Sequence, residues 1–335
     1  MTTTPPPQAS TGIVIIGRNE GERLRRCIES LRQDRSEPPC PMVYVDSASS
    51  DGSVAMARAR GVEVIELDLS RPFTAARARN AGFKRLLQMH PGLVFVFFVD
   101  GDCEVAAGWL DTARGFLSTH PQVGVVCGRR RERHPDRSVY NLLCDIEWDV
   151  PAGESKACGG DAVMRVRAFR QVDGFRPDLI CGEEPELCVR LRQAGWRIRR
   201  LEAEMTLHDA ALYRFGQWWQ RMVRGGYAFA QGADLHGAPP ERHWVRETRR
   251  VWAWGLVLPT LVVIASATLS AWALLLLAAY PLQVLRLTLL GRRSLRENAW
   301  RAAALVVGNF PEMIGQLRFT LDRQRRMKST LIEYK

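Results

Sequence analysis

The sequence predicts an α/β fold, a mostly parallel sheet with flanking helices, followed by a C-terminal membrane helical hairpin. Three observations predict it. Between residues 12 and 126, short β-rich apolar runs alternate with helical patterns. Those runs are continuously apolar, as in strands covered on both faces. From Val251 to Leu290, forty residues carry one charge, Arg286.

The elements follow in chain order. Met1–Ser10 is Thr/Pro-rich, with no basic n-region and no apolar h-region, so a disordered tail over 1–11 is expected rather than a signal peptide. Strands are expected at Ile13–Ile16, Met42–Val45, Val62–Ile65 and Leu93–Val99. Leu24, Cys27, Ile28 and Leu31 fall at i, i+3, i+4 and i+7, one helix face. Residues 127–227 are mixed and rich in Gly, Arg, Glu and Trp, and read as the other half of one domain over 12–230, with a linker over 231–250.

The apolar stretch 251–290 has the length of two bilayer crossings of roughly 20 residues each. Ser266–Ser270 sits near its middle and can turn the chain. Arg249 and Arg250 precede it, Arg292 and Arg293 follow it, and equal basic flanks fit a hairpin with both ends in the cytosol. A buried hairpin of a soluble protein is the alternative. Ala302–Phe310 is too short to span and ends at Pro311, so 291–335 reads as an interfacial or re-entrant helix with a basic tail.

The formal net charge is +11, and nearly all the basic residues are Arg. Such a balance favours phosphorylated ligands, nucleic acid or an anionic membrane face. The eight cysteines are dispersed and no pair is separated by two residues, which excludes zinc-ribbon and redox spacings. They read as small buried hydrophobes of a reducing cytosol.

In a sheet of this kind ligands bind beyond the carboxyl ends of the strands, so the residues after each strand matter most. After the first comes Gly17-Arg18-Asn19-Glu20-Gly21, which has neither dinucleotide nor P-loop spacing. After the second comes Asp46, then a Ser/Asp cluster to Ser53 that suits a turn and helix cap. A cap leaves Asp46 unexplained, and a strand-end carboxylate can accept hydrogen bonds from a base N–H or ribose hydroxyls.

After the fourth strand comes Asp100-Gly101-Asp102. Carboxylates here suit Mg²⁺ or Mn²⁺ with a substrate phosphate, although Asp-Gly is also a common turn pair. Arg79, in a helical run starting near Thr74, can meet a phosphate or lie on a solvated face. Gly182-Glu183-Glu184-Pro185-Glu186 opens a helix, and its acids favour the helix dipole or supply a general base. His208 is a candidate metal ligand only if the fold brings it near Asp102.

Together these segments resemble the family 2 glycosyltransferases, with the fold called GT-A, over about Gly12 to Gly226. The carriers are Ile15-Ile16-Gly17-Arg18-Asn19-Glu20, Val45 to Ser53, Ala78-Arg79-Asn80, Asp100-Gly101-Asp102, Gly159-Gly160-Asp161, Val172-Asp173-Gly174-Phe175 and Gly182 to Leu187. The resemblance implies an inverting sugar transfer by a membrane-attached bacterial enzyme of the inner membrane with a cytosolic catalytic domain. Asp46 would bind the base, commonly uracil, with Asn19, Glu20, Arg79 and Asp100 in the nucleotide site. Asp102 and His208 would hold Mn²⁺ or Mg²⁺. Glu184 would be the base, with Glu183 the alternative because the usual Glu-Asp pair here reads Glu-Glu.

Asp161, Trp218 and Trp219 would face the acceptor or sugar. Phe215 to Arg221 imperfectly matches the Gln/Arg/Trp motif of processive synthases, and one hairpin is too little for a polymer channel. The donor would be a nucleotide-sugar, commonly a UDP-sugar, and the acceptor a lipid-linked or cell-envelope glycan; nucleic acid is not an expected partner. A nucleotidyltransferase is disfavoured because the first loop is short and acidic. A non-catalytic binding protein is disfavoured by the intact Asp102, Glu184 and His208.

Overall fold

In the computed structural model the described residues are 10–33, 39–68, 70 and 73–325. The tail expected over 1–11 therefore lies outside the described residues up to residue 9, and Thr11 already opens the first strand. Arg326 and Lys328 of the expected basic tail also lie outside the described residues.

The chain divides into two compact units, one of residues 1–133 and 148–210, the other of 134–147 and 211–335. The elements of the first are β1 (Thr11–Gly17), α1 (Glu22–Gln33), β2 (Met42–Asp46), α2 (Ser53–Ala59), β3 (Glu63–Glu66), α3 (Ala75–Met89), β4 (Phe95–Asp100), β5 (Cys103–Val105), α4 (Trp109–Thr119) and β6 (Val123–Glu132). After α5 (Val139–Trp148), which falls mainly in the second unit, come β7 (Gly153–Glu154), β8 (Ala162–Arg165), α6 (Val166–Gln171), α7 (Glu183–Gln193) and β9 (Arg197–His208).

Among the described residues nine strands form one sheet, ordered β3-β2-β1-β4-β8-β6-β9-β5, with β7 on β9. The four strands expected from the apolar runs are there, and β3, β2, β1 and β4 are parallel. The second half is mixed: β8 runs antiparallel to β4 and β6, and β5 antiparallel to β9. Phe95 to Val99 of β4 are at most 1% exposed, each contributing roughly 1.5–3 kcal/mol of burial. Helix α1 buries Leu24, Cys27, Ile28 and Leu31, the face its periodicity marks. Helix α3 starts after Thr74, whose side chain accepts from the Arg77 N–H, and crosses β1 so closely that a Cβ at Gly82 would lie 2.4 Å from Val14.

Register places the site. Gly17 pairs with Asp46, and Ile16 with Asp100, so the loops after β1, β2 and β4 leave one edge of the sheet together. His208, the last residue of β9, pairs with Cys103 beside Asp102.

The second unit is helical: α8 (Phe215–His236), α9 (Val245–Trp252), a π-helical turn (Ala253–Val257), α10 (Leu258–Thr268), a 3₁₀ segment (Ala271–Ala278), α11 (Ala279–Leu289), α12 (Leu295–Val307) and α13 (Asn309–Gln324). Two stretches, Val245–Thr268 and Ala271–Leu289, are long and apolar enough to cross a membrane. They break between Thr268 and Ala271, within the expected turn, where the Ser270 hydroxyl caps the second. Little of them is buried: Leu269 is 84% and Trp272 78% exposed. Pro311, which closes the third apolar run, belongs to α13. It lies in the first turn of α13, where a missing N–H costs nothing, and α12 ends at Val307. Helices α8 and α13 cross on glycines, since a Cβ at Gly226 would lie 1.9 Å from the Glu312 carbonyl oxygen and one at Gly315 2.0 Å from that of Val223.

Candidate active site

At the carboxyl edge of the sheet the loops after β1 and β2 are stitched together. The Asn19 N–H donates to the Ser49 hydroxyl at 2.8 Å, and the Asn19 side-chain oxygen accepts from the Ser50 N–H at 2.8 Å. Asn19 and Ala48 hold positive φ, 55° and 70°, a strained pair in facing loops. Asp46 is 1% exposed and accepts from the Tyr44 hydroxyl and the Ser49 N–H, both at 2.8 Å. Its carboxylate therefore shapes the loop that would receive a base. Glu20 pairs with Arg23 at 2.7 Å and lies against Gly17 and Gly101.

Arg79 is not on a solvated helix face. It is 2% exposed and holds three carboxylates: Asp100 at 2.8 Å, Glu183 at 2.9 Å and Glu184 at 3.1 Å. The sequence leaves open a phosphate contact or a solvated face, and of these the burial removes the solvated face. Asp100 is held on its other oxygen by Arg130 at 3.5 Å. Burial alone would raise the Asp100 carboxyl, but Arg79 and Arg130 overcome it and keep it below the usual range. A Cβ at Gly160 would lie 2.6 Å from Arg79 Nη2 and 2.7 Å from Asp100 Oδ2, so only glycine fits beside this ion pair.

Glu183 and Glu184 open α7 behind Gly182, which takes φ 75°. The Glu184 side chain is 17% exposed against 5% for Glu183. Burial pushes the Glu184 carboxyl up to about 7, the neighbouring Glu183 adds to this, and Arg79 opposes it. The third acid, Glu186, is spoken for by Arg190 at 2.7 Å. Asn80 fixes the next loop, donating to the Phe175 carbonyl at 2.7 Å and accepting its N–H at 3.0 Å.

The fold brings His208 to Asp102: Nε2 lies 3.3 Å from Oδ1, and both residues are over nine-tenths buried. Glu132 sits 3.9 Å from the other ring nitrogen, and the Trp148 ring meets the imidazole edge-on at 4.7 Å. One carboxylate and one imidazole at a strand end fit a divalent cation, and the nitrogen suits Mn²⁺ better than Mg²⁺. Cys103 lies within the same cluster, and burial pushes its thiol well up.

Asp161, expected on the acceptor or sugar side, is enclosed by the protein. It is 0% exposed, accepting the Asp100 N–H at 3.1 Å and the Thr206 hydroxyl at 2.6 Å, and pairing with Arg130 at 2.8 Å. Trp218 is buried in the second unit, its ring 5.5 Å from Phe215 and 6.2 Å from Tyr140; Trp219 is half-buried, 5.5 Å from Phe215. Sequence reasoning missed Arg130, Glu132, Trp148 and Thr206. The signal for the first two was a polar Arg-Arg-Arg-Glu run closing an apolar strand.

Residues 12–169 match the sequence model of Glycosyl transferase family 2. A pre-mycofactocin glycosyltransferase of Mycobacterium tuberculosis is 26% identical over 218 residues, covering 61% of this chain and 43% of the relative, so the match spans less than half of that protein. Among solved structures, a mannosyltransferase from Pyrobaculum calidifontis in complex with GDP-Man and Mn²⁺ shares the fold at TM-score 0.64 and 18% identity, covering 93% of this chain and 87% of that one. TarS of S. aureus (residues 1–349) in complex with UDP-GlcNAc does so at TM-score 0.51 and 14% identity, covering 95% and 92%. With the acidic motifs gathered on one edge of the sheet, these likenesses lead to one assignment: residues 12–169 are a glycosyl transferase family 2 region, in a chain that shares the GT-A fold of the solved glycosyltransferases.

Proposed function

We propose that the chain is an inverting glycosyltransferase that moves a sugar from a nucleotide-sugar to a hydroxyl of a lipid-linked or cell-envelope glycan. The observation that carries this reading is the buried chain of groups Glu184–Arg79–Asp100 beside Asp102 and His208. A carboxyl pushed up to about 7 suits a general base at neutral pH. Glu184, the more exposed of the pair, takes the acceptor proton as the hydroxyl attacks the anomeric carbon in line. Arg79 orients that carboxylate and ties it to Asp100 of the nucleotide site. Asp102 and His208 would hold Mn²⁺ or Mg²⁺, which when bound neutralises the charge developing on the leaving diphosphate. Asp46, Asn19 and Glu20 shape the pocket for base and ribose.

Relatives support the class of donor without fixing the base, since one neighbour holds GDP-Man and another UDP-GlcNAc. The two apolar stretches support a cytosol-facing enzyme held on the inner membrane of a bacterium by a helical hairpin. Screening UDP-, GDP- and dTDP-sugars for Mn²⁺-dependent hydrolysis or transfer tests the reading. Turnover of one donor class is the expected result; binding without turnover across the panel and a range of acceptors would leave a sugar-nucleotide-binding protein instead.

A further inference from the structure

Strand β6 makes an irregular approach to the site. Its pairing with β9 slips between Cys127 and Arg129 and again between Arg129 and Arg130. Such bulges re-aim side chains beside active sites. The slip is permitted by Gly128, where a Cβ would lie 2.6 Å from the Ala203 carbonyl oxygen and 2.8 Å from Trp109. Arg131 is half exposed and pairs with Glu204, whereas Arg130 points inward, its side chain 13% exposed. Its register partner across the sheet is Thr206, and both residues reach the same Asp161 oxygen, at 2.8 and 2.6 Å. Arg130 also lies 3.5 Å from Asp100 and packs over the Trp148 ring at 5.4 Å, the ring that meets His208.

We propose that Arg130 is a positioning residue that fixes Asp100 through Asp161 and, as a built-in counter-charge, limits how tightly the site holds a divalent cation before a donor arrives. This inference rests on the transferase reading above. The carboxylates of Asp100, Asp102 and Asp161 converge on one strand end, and a cation at Asp102–His208 and the Arg130 guanidinium are alternative ways of balancing them. Removing the guanidinium leaves an excess negative charge that a cation must satisfy. It also frees Asp100 and Asp161 to move, so tighter metal binding and poorer transfer go together. A residue with a merely structural role would weaken both.

The test uses the full chain in detergent and Mn²⁺ alone, with the free-ion resonance signal as readout and thermal unfolding as a control for folding. R130M is expected to bind Mn²⁺ about tenfold tighter, the effect of one partly screened unit charge, while transfer at saturating Mn²⁺ falls at least about tenfold, within the range a misplaced group costs. R130K, which keeps the charge, is expected to bind Mn²⁺ as the wild type does. If R130M does not fold, R130Q carries the same expectation. Unchanged or weaker Mn²⁺ binding in the neutral variant, or R130K behaving like R130M, overturns the proposal. D102N separates the two levels of the argument. If D102N abolishes Mn²⁺ binding while R130M leaves it unaltered, Arg130 alone is misassigned. If the wild type binds no Mn²⁺ either, the metal reading fails and the proposal fails with it.

Discussion

Glu183 and Glu184 share one nitrogen of Arg79, at 2.9 and 3.1 Å, so the two carboxylates are balanced against each other. Glu184→Gln should lower transfer by about 10²- to 10⁴-fold with donor binding retained, the usual cost of losing a base. Transfer by the wild type should rise with pH through about 7 as Glu184 loses its proton. An active Glu184→Gln beside a dead Glu183→Gln would move the base by one residue. Stability carries the same signature. Because the folded Glu184 titrates near 7 rather than 4.5, the native state binds more protons than the unfolded chain across that window, and stability falls as pH rises through it. In the Gln variant that decline should flatten, seen as unfolding midpoints compared at pH 5 and pH 8. Asp102→Asn, by contrast, should abolish Mn²⁺-dependent turnover while the thermal midpoint stays near wild type; near-normal turnover would remove Asp102 from the metal site.

At this scale the sequence was legible where a strand end announces itself, as at Asp46 and Asp100 to Asp102. It was ambiguous at Arg79, where one residue fits a phosphate contact or a solvated face, and the structure shows a third arrangement, a buried hub for carboxylates.

Among the elements, the parallel half of the sheet was readable because β1, β2 and β4 are built on continuous apolar runs, with helical patterns between them. The antiparallel half was not. Strand β8 spans four residues, and the partner of β9 depends on long-range register that no local pattern encodes. The meeting of His208 with Asp102 is a product of that register, as is the inward turn of Arg130. The loop before β8 tests how tightly these elements are fitted. Gly160→Ala forces a methyl against Arg79 and Asp100, both pinned by ion pairs, whereas a Cβ at Gly159 meets nothing closer than 4.0 Å. Gly160→Ala should cost about 1–3 kcal/mol, as overpacking usually does, and should impair transfer. Gly159→Ala should leave the unfolding midpoint unchanged. Equal effects from the two would show that the loop moves freely and that the close fit is not what requires glycine.

For the whole molecule, the open question is what surrounds the exposed apolar helices. Leu261, Val263, Leu269, Trp272, Leu275 and Leu282 are each more than half exposed, so the described residues of this chain do not bury the hairpin. A bilayer accounts for such a surface, and the two stretches of 24 and 19 residues have the length to cross one. Arg250, one of the expected basic flanks, is held by Glu312 and Asn309 at 2.8 Å each, which ties the first stretch to α13. Ending the chain at Arg246 would therefore strip α13 from α8 and bare Val223 and Tyr227, so aggregation is expected rather than a soluble domain. The topology is better tested in the intact chain. Seven of the eight native cysteines are buried and the eighth, Cys40, is half-buried, which keeps background labelling low. A cysteine placed at Thr268 should react with a membrane-impermeant maleimide from outside intact cells, and one at Ser294 only after lysis. The protein should also stay with membranes through alkaline carbonate. Labelling at 294 from outside, or complete extraction by carbonate, would contradict a hairpin that returns both flanks to the cytosol.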